Sequence, residues 1–302
     1  MAGGHPEFPV RPVGGLRHHA RMRADTTSGP AVGFLLDLIG PADADRVRAR
    51  VGLPRPAPED LRETRRRIPF TVPALPSSVV LWMLQEDDPD LNTVVWRLLT
   101  YRDTALRRAV LDGVPFAPGR LLAVEVDPAL RAGHEAPPVP DRVARLGLLP
   151  ALRESDSMAA AREVTSMVYR REHWQTVAEA DREHSLPGYV RWALSVRPDC
   201  PPALRAQFGS HRKFDFRVRQ AGILDGPAAY ALDHGPAAQV LRVLSLGRVM
   251  FPARAAEAED ALRPLVLDHL GTREEAWAVL AQLLGTFHGT TGELVRTAGS
   301  IA

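Results

Sequence analysis

The sequence predicts an all-α protein: an irregular array of short helices behind a disordered N-terminal arm. Three observations carry that reading. From residue 75 onward, apolar residues recur at the three- and four-residue spacing of amphipathic helices. Proline and glycine punctuate this pattern at short intervals, so the helices are brief and their connections tight. Alternation of the kind a half-buried strand requires is nearly absent; Arg120–Val126 is the one stretch that does not exclude it. The chain has 302 residues, 45% hydrophobic and 25% charged, enough to bury one large core or two smaller ones.

Residues 1–30 combine His, Gly, Pro and Arg without apolar periodicity and predict a disordered arm. Residues 31–113 read as an N-terminal helical region. Ala31–Ile39 is a short apolar segment. Pro41 opens a helix over 42–51 that stops near Gly52, and a Pro-rich connection follows. Pro76 and Ser77 open the next helix. The acidic run Glu86–Asp90, with Pro89 inside it, reads as a solvated loop. Leu91, Val94, Val95, Leu98 and Leu99 then recur at helical spacing. Asp103 and Thr104 cap a helix over 105–111, closed by Gly113. Repeated prolines make residues 114–150 a connection with at most short helices. Residues 151–302 form a C-terminal helical region, with helices predicted over 156–169, 171–184, 187–196, 201–208, 214–222, 226–234, 236–246, 254–270, 273–285 and 290–299. Connections this short force consecutive helices to be packing neighbours.

A Val-x-Trp-x-Leu pattern occurs at Val80-Trp82-Leu84, Val94-Trp96-Leu98 and Val190-Trp192-Leu194, with a relaxed form at Glu275-Trp277-Val279. Such recurrence predicts tryptophans at equivalent helix–helix interfaces of stacked units. The sharpest unit is Tyr189-Val-Arg-Trp-Ala-Leu-Ser-Val-Arg-Pro-Asp-Cys-Pro-Pro-Ala-Leu204. Val190, Ala193 and Leu194 share one helix face, Pro198 ends that helix, and Asp199 is placed to cap the next, whose first turn tolerates Pro201 and Pro202. This stretch of about 20 residues resembles the leucine-rich-repeat-variant and HEAT-like repeats of bacterial proteins. There, an apolar "VRxAL" helix leads through a Pro-containing turn to a "PPxxL" helix. The resemblance implies an irregular HEAT-like array, an α-solenoid. The cysteine cluster of some variant-repeat proteins is missing, so no iron–sulfur centre is carried over. The segment from Leu270 to Ala302, with Glu-Ala-Trp-Ala-Val-Leu at its heart, is similar to the ends of a large group of high-GC actinomycete proteins. That resemblance brings no activity with it.

Composition narrows the function classes. Cys200 is the only cysteine, which removes disulfide frameworks and Cys-based metal sites. No apolar run reaches the length of a membrane span and no leader-type segment opens the chain, so a cytoplasmic location and no membrane partner are expected. The formal net charge is +2, from 38 basic and 36 acidic residues, and Lys213 is the only lysine. That balance argues against a dominant phosphate-gripping surface.

No constellation of residues spells an enzyme. His173 and His184 are 11 positions apart, about 16 Å along a helix, too far to share an ion. Asp181, Glu183 and His184 read as a polar helix surface. Cys200 sits where a helix N-terminus lowers a thiol pKa, but no histidine lies near it in sequence. His18 and His19 fall in the arm. Arg62, Arg65, Arg66 and Arg67 form a small basic cluster. No catalytic, cofactor-binding or metal-binding residue is therefore assigned, and no cofactor is expected.

The densest functional candidate is His211–Arg219, which interleaves basic residues with Phe214 and Phe216. Phe214, Val218 and Ile223 are expected to face the core, with Asp215 pairing its basic neighbours. Concave faces of repeat arrays bind extended partners. The leading expectation is a non-enzymatic protein- or peptide-binding scaffold. The alternative is a nucleic-acid binder, since HEAT-like folds include alkylpurine DNA glycosylases that cradle a duplex. Its candidate residues are Arg205, Arg212, Lys213, Arg217 and Arg219.

Overall fold

Helices form where the apolar periodicity places them. The computed structural model describes residues 29–54, 65, 75–99, 104–131, 139–209 and 212–302, without the side chains of 212–214. The described residues contain helices and connections and no strand, so the protein is all-α and Arg120–Val126 is irregular chain. In chain order the helices are α1 (29–36), α2 (Pro41–Val51), α3 (Ser77–Leu84), α4 (Pro89–Leu98), α5 (Thr104–Leu111) and α6 (Pro128–Arg131). There follow α7 (Asp141–Leu146), α8 (Leu148–Arg153), α9 (Met158–Val164), α10 (Arg171–Glu183), α11 (Gly188–Ser195) and α12 (Pro202–Gln207). The last six are α13 (Arg212–Gln220), α14 (Pro227–Asp233), α15 (Ala237–Met250), α16 (Pro252–His269), α17 (Glu274–Leu283) and α18 (Thr291–Ile301). The arm expected over 1–30 lies outside the described residues except for 29 and 30, which are helical.

Start and stop signals set these boundaries. Pro41 opens α2 after Gly40. Asp88 caps α4, accepting from the N–H groups of Asp90 at 2.8 Å and Leu91 at 3.1 Å. Thr290 and Glu293 form a reciprocal capping box at the start of α18, with bonds of 3.2 and 2.9 Å. Two boundaries differ from the sequence reading by more than two residues. The helix expected over 156–169 ends at Val164, because the Thr165 and Ser166 hydroxyls donate to the carbonyls of Ala161 and Glu163 at 2.8 and 2.7 Å. Such side-chain bonds compete with helical continuation. Conversely, Gly247 does not break α15. A Cβ there would sit 2.7 Å from the Phe251 ring and 3.0 Å from the Ala255 Cβ, so glycine permits close packing.

Two compact units emerge, each drawing on separated segments: residues 1–56, 231–245 and 259–302 make one, and 57–230 with 246–258 the other. In the first, α17 packs on α18 and on α2, around Leu35, Leu36, Val47, Leu241, Leu262, Trp277, Leu280 and Val295. Trp277 is fully buried and its indole N–H donates to the Gly271 carbonyl at 3.0 Å. Arg263 donates to the Leu38 carbonyl at 3.0 Å, closing the chain after α1.

In the second unit, Trp82 meets Tyr230 edge-on at 5.9 Å and Phe251 at 5.8 Å. A further core joins α7 to α12, with Leu152, Val164, Tyr169, Trp174, Val177, Val190, Leu194, Cys200 and Leu204 buried. The face formed by Val190, Ala193 and Leu194 is buried as the spacing indicates. The tryptophans of the recurring pattern divide. Trp82 and Trp277 are core residues, whereas Trp96 and Trp192 are half-buried under arginines. Arg107 lies 4.2 Å above Trp96; Arg162 and Arg217 lie 5.2 and 5.4 Å from the Trp192 ring centroid.

Candidate functional site

The acidic run after α3 is not a solvated loop. Asp87 is buried, at a positive φ of 49°, and its carboxylate accepts from the backbone N–H groups of Phe116 at 2.8 Å and Ala117 at 3.2 Å. Asp88 caps α4 and accepts from Arg65 at 3.0 Å. Of the basic cluster around it, Arg62, Arg66 and Arg67 lie outside the described residues. The acidic residues thus act as anchors. Asp87 holds the loop that leaves α5, whose exit is fixed by Gly113 at φ 64°, where a Cβ would stand 2.5 Å from the Val124 carbonyl oxygen.

The turn between α11 and α12 is held as firmly. Arg197 reaches both Asp199 oxygens, at 2.9 and 2.7 Å, and donates to the carbonyls of Met167, at 3.0 Å, and Thr165. Its guanidinium lies 4.6 Å from the Tyr169 ring centroid and 5.5 Å from that of Trp174. Burial works against its charge, but Asp199, Tyr169 and Cys200 together outweigh burial and hold the pKa above the ordinary arginine value. Asp199 is therefore spent on Arg197 and does not cap α12, whose N-cap is Pro201. Arg205 completes the turn by donating to the carbonyls of Ser195, Arg197 and Cys200 at 2.9, 3.0 and 3.1 Å. Cys200 is buried, and burial pushes its thiol up to about 12, so it stays protonated at neutral pH.

These two anchored segments face one another across a cavity of about 510 Å³. Leu81 and Gln85 of α3 line it, with the loop Val114–Arg120, one face of α10, and the chain from Asp199 to Leu204. The wall is mainly apolar: Phe116, Trp174, Leu204 and several prolines. Its volume falls in the range of pockets that hold small ligands or peptide side chains. Tyr169 also lines it. Burial raises the Tyr169 pKa, and the hydroxyl has no hydrogen-bond partner among the described residues. Three charged residues border the space: Arg120, Arg171 and Asp199. Asp199 is neutralised by Arg197. Arg120 is exposed and only 3.7 Å from the already occupied Asp87 carboxylate; Arg171 is exposed and has no carboxylate partner among the described residues. Beyond Arg120 the chain continues into Leu121 and Leu122, exposed to 76% and 78%.

The structure gives the sequence-derived candidates separate places. Arg212, Lys213, Arg217 and Arg219 share α13, and the side chains of the first two lie outside the described residues. Arg217, Arg219 and Phe216 are exposed, the last to 67%. Ile223 is buried and Val218 half-buried, while the Phe214 side chain lies outside the described residues. Among the described residues no ion pair joins Asp215 to Arg217 or Arg219. Arg205 sits on α12, tied into its turn. Asp181 is buried and accepts from the Leu186 N–H at 2.8 Å, Arg191 at 2.8 Å and Gln207 at 3.0 Å. His173 accepts the Arg170 N–H at 3.1 Å. No cluster of metal-ligating side chains occurs among the described residues. No described helix is long and apolar enough to cross a membrane.

The cavity itself was missed by sequence reading, because its walls come from four separated segments. A local signal did exist: Val-Arg-Pro-Asp followed by Arg205 is the pattern of a turn closed by its own arginines. No family model, curated protein or solved structure matches the chain.

Proposed function

We propose that this protein is a non-enzymatic polypeptide-binding module, an irregular HEAT-like array that seats a peptide segment in the cavity between α3, the 114–120 loop, α10 and α12. The observation that carries the reading is an apolar cavity whose walls are fixed by the buried Arg197–Asp199 ion pair and by carboxylate–amide bonds from Asp87. Preorganised walls reduce the ordering cost of binding. The one thiol lining the cavity, Cys200, is held protonated by burial. The local support for the array is the α11–turn–α12 unit, whose buried face and Pro-containing turn follow the repeat pattern. Selection of displayed peptides on the full chain tests the proposal. Ala203 is exposed and lines the cavity, so Ala203→Trp obstructs it from its surface side. Peptides enriched on the native chain are expected to lose binding to Ala203→Trp. Enrichment that survives the obstruction would place the binding surface elsewhere.

A second reading, a nucleic-acid binder working through α13, is favoured by one observation: Phe216, Arg217 and Arg219 are all exposed on that helix. Aromatic stacking beside arginines is the chemistry of single-strand binding. Gel shifts with mixed-sequence DNA and RNA at low salt test it. Replacing Arg217 and Arg219 with Gln should then reduce the salt slope by about two phosphate contacts.

A further inference from the structure

The polypeptide-binding reading leaves the chemistry of the occupant open, and the charges lining the cavity narrow it. Of the three charged residues on its border, the only carboxylate, Asp199, has both oxygens taken by Arg197. Arg120 and Arg171 are left facing solvent. Arg120 pairs at 3.7 Å with Asp87, whose oxygens also accept two backbone N–H groups, and its side chain remains exposed for a second carboxylate. The space is therefore an apolar cavity bordered by two exposed guanidinium groups, Arg120 sharing the charge of Asp87 and Arg171 with no carboxylate partner among the described residues. Leu121 and Leu122, which follow Arg120 in the chain, are exposed.

Resting on the reading above, we propose that the occupant is an acidic segment of a partner polypeptide. A bulky apolar side chain fills the cavity against Phe116, Trp174 and Leu204, and flanking carboxylates meet Arg120 and Arg171. A second copy of this chain is a poorer occupant, because a two-fold axis through this face would bring like-charged borders together. Arginine suits the role, since its planar guanidinium pairs with carboxylates in a fixed geometry.

The test uses the full chain and three rhodamine-labelled peptides that share a Leu-Phe centre: one flanked by Glu and Asp, one by Gln and Asn, one by Lys. Fluorescence anisotropy at low and high salt reads their affinities. The acidic peptide should bind best, with an advantage over the neutral one that shrinks as salt rises. Each of Arg120→Gln and Arg171→Gln should reduce that advantage about threefold, and both together about tenfold, as expected for solvent-exposed ion pairs. Both side chains are exposed, so circular dichroism should show the variants folded. Equal binding of the acidic and neutral peptides overturns this inference and leaves the polypeptide-binding reading intact. Failure of all three, while a displayed peptide without acidic residues binds, does the same. Failure of the displayed peptides as well removes the reading itself. Sedimentation showing a dimer that dissociates on Ala203→Trp would assign the cavity to a second copy and overturn the acidic-partner proposal.

Discussion

At the scale of single residues, Asp181 shows how a polar group acquires its role from distant partners. Its spacing to Glu183 and His184 invites a metal-site reading, yet its oxygens are taken by Leu186, Arg191 and Gln207. Burial pushes its pKa up, but these donors outweigh burial and hold the carboxyl below the usual aspartate range. Its contribution is therefore complete above the unfolded pKa of about 3.9 and is lost as pH falls through the lower folded value. Asp181→Ala should cost about 3 kcal/mol at neutral pH and weaken the acid dependence of unfolding, both measurable by urea denaturation across pH. A loss that persists unchanged at acid pH would contradict this assignment. Tyr169 predicts the opposite behaviour. Its hydroxyl has no partner among the described residues, so Tyr169→Phe should leave stability within about 1 kcal/mol or raise it. A clear drop in the thermal midpoint would mean the hydroxyl is bonded. The residue types at both positions were legible in the sequence. Their roles were not, because the partners of Asp181 extend from 5 to 26 positions along the chain.

At the scale of elements, the sequence is more informative, because caps and breakers act within one turn. The start of α2 at Pro41 and the closure after α5 at Gly113 were both readable for that reason. The errors have local causes too: hydroxyl back-bonding shortened α9, and tight packing let α15 run through Gly247. Gly113→Ala tests the importance of the α5 exit. It introduces a side chain at positive φ against the Val124 carbonyl, so it should destabilise by more than about 1 kcal/mol. Chemical denaturation of the variant gives the value. The tryptophan pattern identified helices correctly but burial only for Trp82 and Trp277, since the arginines stacked on Trp96 and Trp192 leave no mark in a Val-x-Trp-x-Leu spacing. Trp277→Ala should cost roughly 3–5 kcal/mol, by loss of a fully buried ring and its bond to Gly271. Trp192→Ala should cost distinctly less, and comparison of their denaturation midpoints checks the order.

At the scale of the whole molecule, the all-α class followed from periodicity and its Pro and Gly punctuation. Which segments share a compact unit did not, because periodicity is a local property and both units draw on separated stretches. The cavity belongs to this class of feature. Asp87 reaches 29 positions ahead to fix one wall, and Arg197 reaches back 30 positions to the Met167 carbonyl behind another. Sequence reading singled out the residues of α13, where basic and aromatic residues are contiguous, for the alternative nucleic-acid reading. Amide chemical-shift mapping of the full chain with a display-selected peptide sets these two surfaces against each other. The account predicts that shifts concentrate at Leu81, Phe116–Arg120, Trp174–Gln175 and Ala203. Shifts confined to α13, or scattered with no focus on these residues, would contradict it.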